Sequence, residues 1–193
     1  MRVKKRRKLV VRDVSKVRAL RTPLRQEILN VLERLGSGTV KEMAAELRRP
    51  PASLYYHIHK LVDAGLVNEA GSRPAGRRRE AVYEAAAEKI IIDRSVATEG
   101  FTDALMDLHR ATLRAAERES IAALSAECVD GRKRRDDVTL LRLTARLRPA
   151  DARRARQMLR EIARFMKEHD GPDTPTAFAF TTTLVRVQDE SDV

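Results

Sequence analysis

TVKEMAAELRRPPASLYYHIHKLVDAGLV, residues 39–67, decides how the rest of this chain is read. Thr39 and Glu42 stand three apart, the spacing at which each side chain satisfies a free backbone N–H at the start of a helix. Met43, Ala44 and Leu47 then give that helix one buried side. Pro50 and Pro51 stop it, because proline cannot continue the hydrogen-bond ladder. A second helix opens at about Pro51 and runs to Gly65, with Leu54, Ile58, Leu61 and Val62 as its apolar stripe. Leu66 follows as the residue that closes the C-cap contact.

Two helices of about ten residues joined by a turn of three or four form a helix-turn-helix. In that motif the second helix enters the DNA major groove with its N-terminal residues on base edges. Opposite the apolar stripe lie Ala52, Ser53, Tyr55, Tyr56, His59 and Lys60. Two adjacent tyrosines make little sense on a face meant only for water. Their rings suit thymine methyls or sugars and their hydroxyls suit phosphates. The alternative for Tyr55 is packing beneath the neighbouring helix.

Working outward, Asp13 is placed to cap a short helix carrying Val14, Val17, Ala19 and Leu20. Thr22-Pro23 restarts the chain, with Thr22 as the capping residue and proline at the first helical position. Leu24, Ile28, Val31, Leu32 and Leu35 then recur at helical spacing until Gly36. After Gly65 the period changes. LVNEAG and AVYEAA are partly alternating runs that flank GSRPAGRRRE, residues 71–80, and predict a β-hairpin, or wing. Arg73, Arg77, Arg78 and Arg79 project from its tip toward the minor groove or the phosphates.

The order VRALRTPLRQEILNVL, TVKEMAAEL, PPASLYYHIHKLVDAGLV and a hairpin ending in VYE resembles winged-helix regulators of the ArsR type, in the branch with an extra C-terminal region. The resemblance spans residues 13–86. It implies a homodimeric, double-stranded DNA-binding transcription regulator, usually a repressor. It places DNA contacts on Ala52, Ser53, Tyr55, Tyr56 and Lys60 and on the wing arginines 73 and 77–79. His57 matches a partly buried family histidine and is not expected to be a ligand.

Charge agrees with that reading. Residues 1–90 hold 21 Lys and Arg against 10 Asp and Glu, whereas residues 91–193 hold 18 of each. The whole excess of +11 therefore sits where a polyanion would be met. The segment RVKKRRK, residues 2–8, adds a basic arm suited to phosphates or to solubility alone. No apolar run is long enough to span a membrane, and the lone Cys128 fits a reducing compartment, so a cytoplasmic, nucleoid-associated location is expected.

Metal sensing is the ArsR type's best-known chemistry. One cysteine cannot build an intrachain thiolate site. Asp107-Leu108-His109 matches half of the family's second site, but Ser120 stands where a later ligand is expected. His57 and His59 are too close in sequence to chelate one ion from one helix face. No metal or other cofactor is expected, and no nucleophile elbow, HExxH or phosphate loop suggests catalysis.

The fold class is α+β, mainly α. Its expected parts are an arm (1–12), a winged helix-turn-helix (13–87), a linker and long helix (88–130) and a small C-terminal β-α-β module (131–193). The long helix, about 99–127, reads as a dimerisation element through Phe101, Leu105, Leu108, Leu113, Ile121 and Leu124, or as packing for the C-terminal module. AEKIIIDRS, residues 87–95, reads as an extra strand or an apolar linker. VTLLRLTARL and TAFAFTTTLVRV alternate like strands around a helix opening at Pro149. That module serves packing and dimer support, or borders a small-molecule effector pocket with the long helix. The rival functions are a nucleoid-type protein without sequence preference and a winged helix used for protein contacts.

Overall fold

The computed structural model describes residues 8–76, 78–96, 98–130, 138–171 and 177–186, with the side chains of 126–130 outside that description. The basic arm up to residue 7, Arg77 and the GRKRRDD segment at 131–137 lie outside the described residues. The chain divides into two units, Met1–Ala115 and Ala116–Val193.

The first unit is built as its caps dictate. Helix α1 (Val14–Leu20) starts at Asp13, whose Oδ1 accepts from the Ser15 N–H at 2.7 Å. Helix α2 (Pro23–Leu35) carries proline at its first position and ends at Gly36, whose φ of 75° is left-handed. Thr22 precedes it without a side-chain cap bond; the Arg25 and Gln26 side chains instead donate to Ala19 O and Leu20 O at the end of α1. Those bonds lock the corner between α1 and α2.

Helix α3 (Val40–Glu46) has the full capping box: Thr39 N–H donates to Glu42 Oε2 at 2.7 Å, and Glu42 N–H donates to Thr39 Oγ1 at 3.3 Å. Helix α4 (Ala52–Asp63) follows after a tight turn in which Arg48 takes a positive φ of 50°. Gly65 closes α4 at φ 63°, and Leu66 N–H returns to Leu61 O at 2.9 Å. The core joins Ile28 and Leu32 of α2, Met43 of α3, Leu54, Ile58 and Leu61 of α4, and Leu66, all essentially without solvent contact.

A three-stranded antiparallel sheet completes this unit in the order β2 (Gly38–Thr39), β4 (Arg78–Ala85), β3 (Val67–Ala75). The hairpin strands run much further than the alternation suggests. GSRPAGRRRE is mostly strand, with Arg73 opposite Glu80, Pro74 opposite Arg79 and Ala75 opposite Arg78. Pro74 is tolerated because β3 is an edge strand. Glu69 faces Tyr83 while Gly71 faces Val82, so Ala70 is an extra, bulged residue. Two further strands, β1 (Leu9–Val11) and β5 (Ile90–Ile92), pair in parallel. The 87–95 segment therefore holds a strand, and its partner comes from the expected arm. Arg12 reinforces the pair by donating to Asp93 at 2.8 Å.

Helix α5 (Glu99–Asp130) starts on this core, with Phe101, Ala104 and Ala115 buried. At about 100° per residue, Phe101, Ala104, Leu108 and Ala115 fall on one face and Met106, Leu113, Ile121 and Leu124 on the opposite one. The second group is exposed. The single stripe expected from sequence is thus two stripes, and Phe101, Leu105 and Leu108 pack on the chain's own core.

The class is mainly α with small sheets, but the expected C-terminal β-α-β unit is corrected. Its helix is present as α6 (Pro149–Glu168), whereas residues 138–147 and 177–186 enter no sheet. Leu140, Leu141 and Leu143 are 91, 83 and 79% exposed. Alternation supplies an apolar edge but not a partner, and two strands bury too little to hold each other.

Candidate nucleic-acid interface

Amphipathicity sets the orientation of α4. With Leu54, Ile58 and Leu61 held in the core, the opposite face must point outward, and Ala52, Ser53, Tyr55, Tyr56, His59 and Lys60 are all exposed there. Tyr55 is 49% and Tyr56 62% exposed, so neither packs beneath a neighbouring helix. Lys60 Nζ lies 5.9 Å from the Tyr56 ring centre and 3.5 Å from Asp63. Ser53 donates its hydroxyl to Pro50 O at 2.7 Å, leaving the oxygen lone pairs for an incoming donor. His57 is half-buried beside Tyr56. Burial first, then the Arg25 and Arg49 guanidiniums, hold its pKa below the usual histidine value. The imidazole is neutral near pH 7.

Two cations flank the tyrosines that sequence spacing does not reveal. Lys41, at the start of α3, has its pKa raised chiefly by the Glu80 carboxylate, and the Tyr55 hydroxyl adds to the effect. Arg25 has its pKa lowered chiefly by burial, opposed by the Tyr56 hydroxyl. Lys41 is thus near enough to Tyr55, and Arg25 to Tyr56, for their charges to be felt. Both approaches are tertiary, which is why no motif signals them.

The wing arginines divide by what they touch. Arg73 Nη1 lies 3.1 Å from Glu42 Oε1, so the carboxylate that caps α3 also holds β3. Lys41 pairs with Glu80, the cross-strand neighbour of Arg73. Consecutive residues of α3 therefore grip both wing strands. Arg79 is folded back on its own hairpin, donating to Ser72 Oγ and Ser72 O at 2.8 and 2.9 Å. Among the described residues no group pairs with the Arg78 side chain.

Glu42→Gln should separate the two duties of that carboxylate. Glutamine retains an oxygen for Thr39 N–H, so stability should change by under about 1 kcal/mol. Freed from its counter-charge, Arg73 should strengthen binding to a random duplex and steepen the salt slope by about one. An unchanged slope in a fluorescence-anisotropy titration would mean that Arg73 only fastens the wing.

Asp107 does not stand ready for a metal: its carboxylate lies 3.6 Å from Arg21 and 3.4 Å from Arg110. Among the described residues no group of three or more His, Cys, Asp or Glu side chains is placed to hold an ion. No helix among them is long and apolar enough to cross a membrane.

A capped helix, a tight turn and a second helix with an exposed polar and aromatic face define a helix-turn-helix, a double-stranded DNA-binding domain of transcription regulators. A family model described as a helix-turn-helix domain matches residues 20–70, from the end of α1 into β3. No curated protein sequence matches the chain.

Proposed function

We propose that this protein is a homodimeric, sequence-specific transcription regulator of the ArsR type, acting as a repressor on double-stranded DNA in the cytoplasm without enzymatic activity. The observation that carries the reading is the exposed 52–60 face of α4, backed by Leu54, Ile58 and Leu61 in the core, together with an arginine-bearing wing latched to α3. Phosphate contacts from Lys41, Arg73, Arg78 and the neighbouring Arg77 and Arg79 supply affinity, and Ala52, Ser53, Tyr55, Tyr56, His59 and Lys60 supply readout. Its organisation is the arm, the winged helix-turn-helix, the long helix and a C-terminal module.

Dimerisation uses the exposed Met106, Leu113, Ile121 and Leu124 stripe of α5 rather than the buried one. Isologous pairing through it gives two recognition helices and a near-palindromic operator, with half-sites roughly ten base pairs apart. The effector reading has one observation in its favour. A shallow groove lined by Arg21, Asp107, Arg110, Ala111 and Arg114 lies along α5, with no lining residue from the C-terminal module expected to form its other wall.

Selection of bound duplexes from a random pool tests the reading directly. The wild-type chain should enrich a palindrome, and Tyr56→Ala should flatten the enrichment while keeping random-duplex affinity within about threefold. Enrichment of no motif by the wild type would favour a nucleoid-type protein, and failure to shift any duplex at low salt would favour a protein-contact role.

A further inference from the structure

The even balance of the second half hides a segregation of charge. Helix α5 carries seven acidic residues against three arginines, and α6 carries six basic residues against three acidic ones. On α6 the basic residues are also lined up. Arg153, Arg156, Arg160, Arg164 and Lys167 recur at steps of three or four and fall within an arc of about 80°. The line is roughly 21 Å long at 1.5 Å per residue. All five are exposed.

Two surface arginines of the helices have a carboxylate one turn away, Arg110 with Asp107 and Arg148 with Asp151. Among the described residues no carboxylate lies within ion-pair distance of Arg153, Arg156, Arg160 or Arg164. Glu161 lies off the arc and accepts from Gln157 instead. Like charges at successive i,i+3 and i,i+4 positions destabilise an isolated helix. The three successive repulsions among Arg153, Arg156, Arg160 and Arg164, left without a carboxylate, fit a surface whose counter-charge arrives from outside. The apolar residues left exposed on α6, Met158, Ile162 and Phe165, lie on the opposite arc, so the basic line is not the rim of an apolar patch.

We propose that this line on α6 is a second DNA-backbone site, taking consecutive phosphates of a duplex without reading its bases. The guanidiniums from Arg153 to Arg164 run over about 17 Å, a length along which one strand of a duplex offers a phosphate every 3.4 Å of axis. Arginine gives each phosphate a planar fork of donors. The inference rests on the DNA-binding reading above and extends the contact beyond the winged domain.

The test uses the full chain with Arg156→Gln, Arg160→Gln and Arg164→Gln combined, because glutamine preserves helix propensity. Binding to a random 30-base-pair duplex is followed over a salt series, with far-ultraviolet circular dichroism confirming the helix. The expected result is a salt slope shallower by two to three and a shorter nuclease footprint. A slope and footprint equal to wild type would overturn the proposal, provided that Arg78→Glu still lowers the slope; that pattern leaves the winged-helix reading intact. A wild-type chain that binds no duplex would overturn both. Two other partners would also overturn it. Loss of binding to anionic phospholipid vesicles with DNA binding unchanged would assign the line to a lipid surface. A changed sedimentation mass with an unchanged slope would assign it to a second copy of the chain.

Discussion

Arg78→Glu should weaken binding to every duplex by roughly tenfold near 0.1 M salt and reduce the salt slope by about one or slightly more. The expectation comes from the unequal engagement of the wing arginines. Arg73 is held by Glu42 and Arg79 by Ser72, whereas Arg78 stands beside the turn with no partner among the described residues. Meeting a phosphate costs Arg78 no existing contact, and reversal replaces attraction with repulsion at the same point. Arg79→Gln should act differently, loosening the hairpin tip with a smaller change in slope. Because phosphates carry no base identity, the Arg78 effect should be equal on operator and random DNA. Anisotropy titrations on both duplexes measure this. A loss confined to one sequence would make Arg78 a base contact, and no loss would remove it from the interface.

The largest stability effect should come from Phe101→Ala, at about 3–5 kcal/mol, a large share of the stability typical of a domain. Phe101 is fully buried in the first turn of α5, where Phe101 N–H and Thr102 N–H both donate to Thr98 O. Truncation leaves a cavity that a helix so fastened cannot close by sliding. A urea titration should show a lower midpoint at nearly constant slope. Leu124→Ala provides the contrast. It lies on the exposed stripe, so the same titration at low protein concentration should barely move while the dimer dissociates more readily. A small effect at Phe101 would mean that α5 is not anchored on this core.

Local chemistry was legible in the sequence. Asp13, the Thr39–Glu42 box, Gly36 and Gly65 state their geometry within four residues, and each forms as expected. The face of α4 was legible for a related reason: three buried aliphatic residues fix where the others point. What escaped depends on distant partners. Leu9–Val11 becomes a strand only because Ile90–Ile92 lies beside it, some eighty residues on. Lys41 and Arg25 join the tyrosine face through packing between helices. The two stripes of α5 merge on casual inspection because apolar residues on opposite faces still recur at short intervals. At 138–147 alternation was present, but a strand also needs a neighbour, and the described residues supply none.

The bulge at Ala70 makes the parity of the wing a single-residue property. Beyond it, Arg73 shares a pleat face with Glu80 and Arg78, the face on which α3 grips Arg73 and Glu80, while Ser72 and Arg79 share the other. Side chains alternate with a period of two, so pairing Ala70 with Val82 instead of bulging it would slip Gly71 to Ala75 one step along β4 and set Arg73 opposite Arg79. Arg73 would then turn away from Glu42, and Ser72 away from Arg79. The bulge thus absorbs the one residue that would otherwise undo both fastenings of the hairpin, and a chain lacking Ala70 would keep them in a regular ladder.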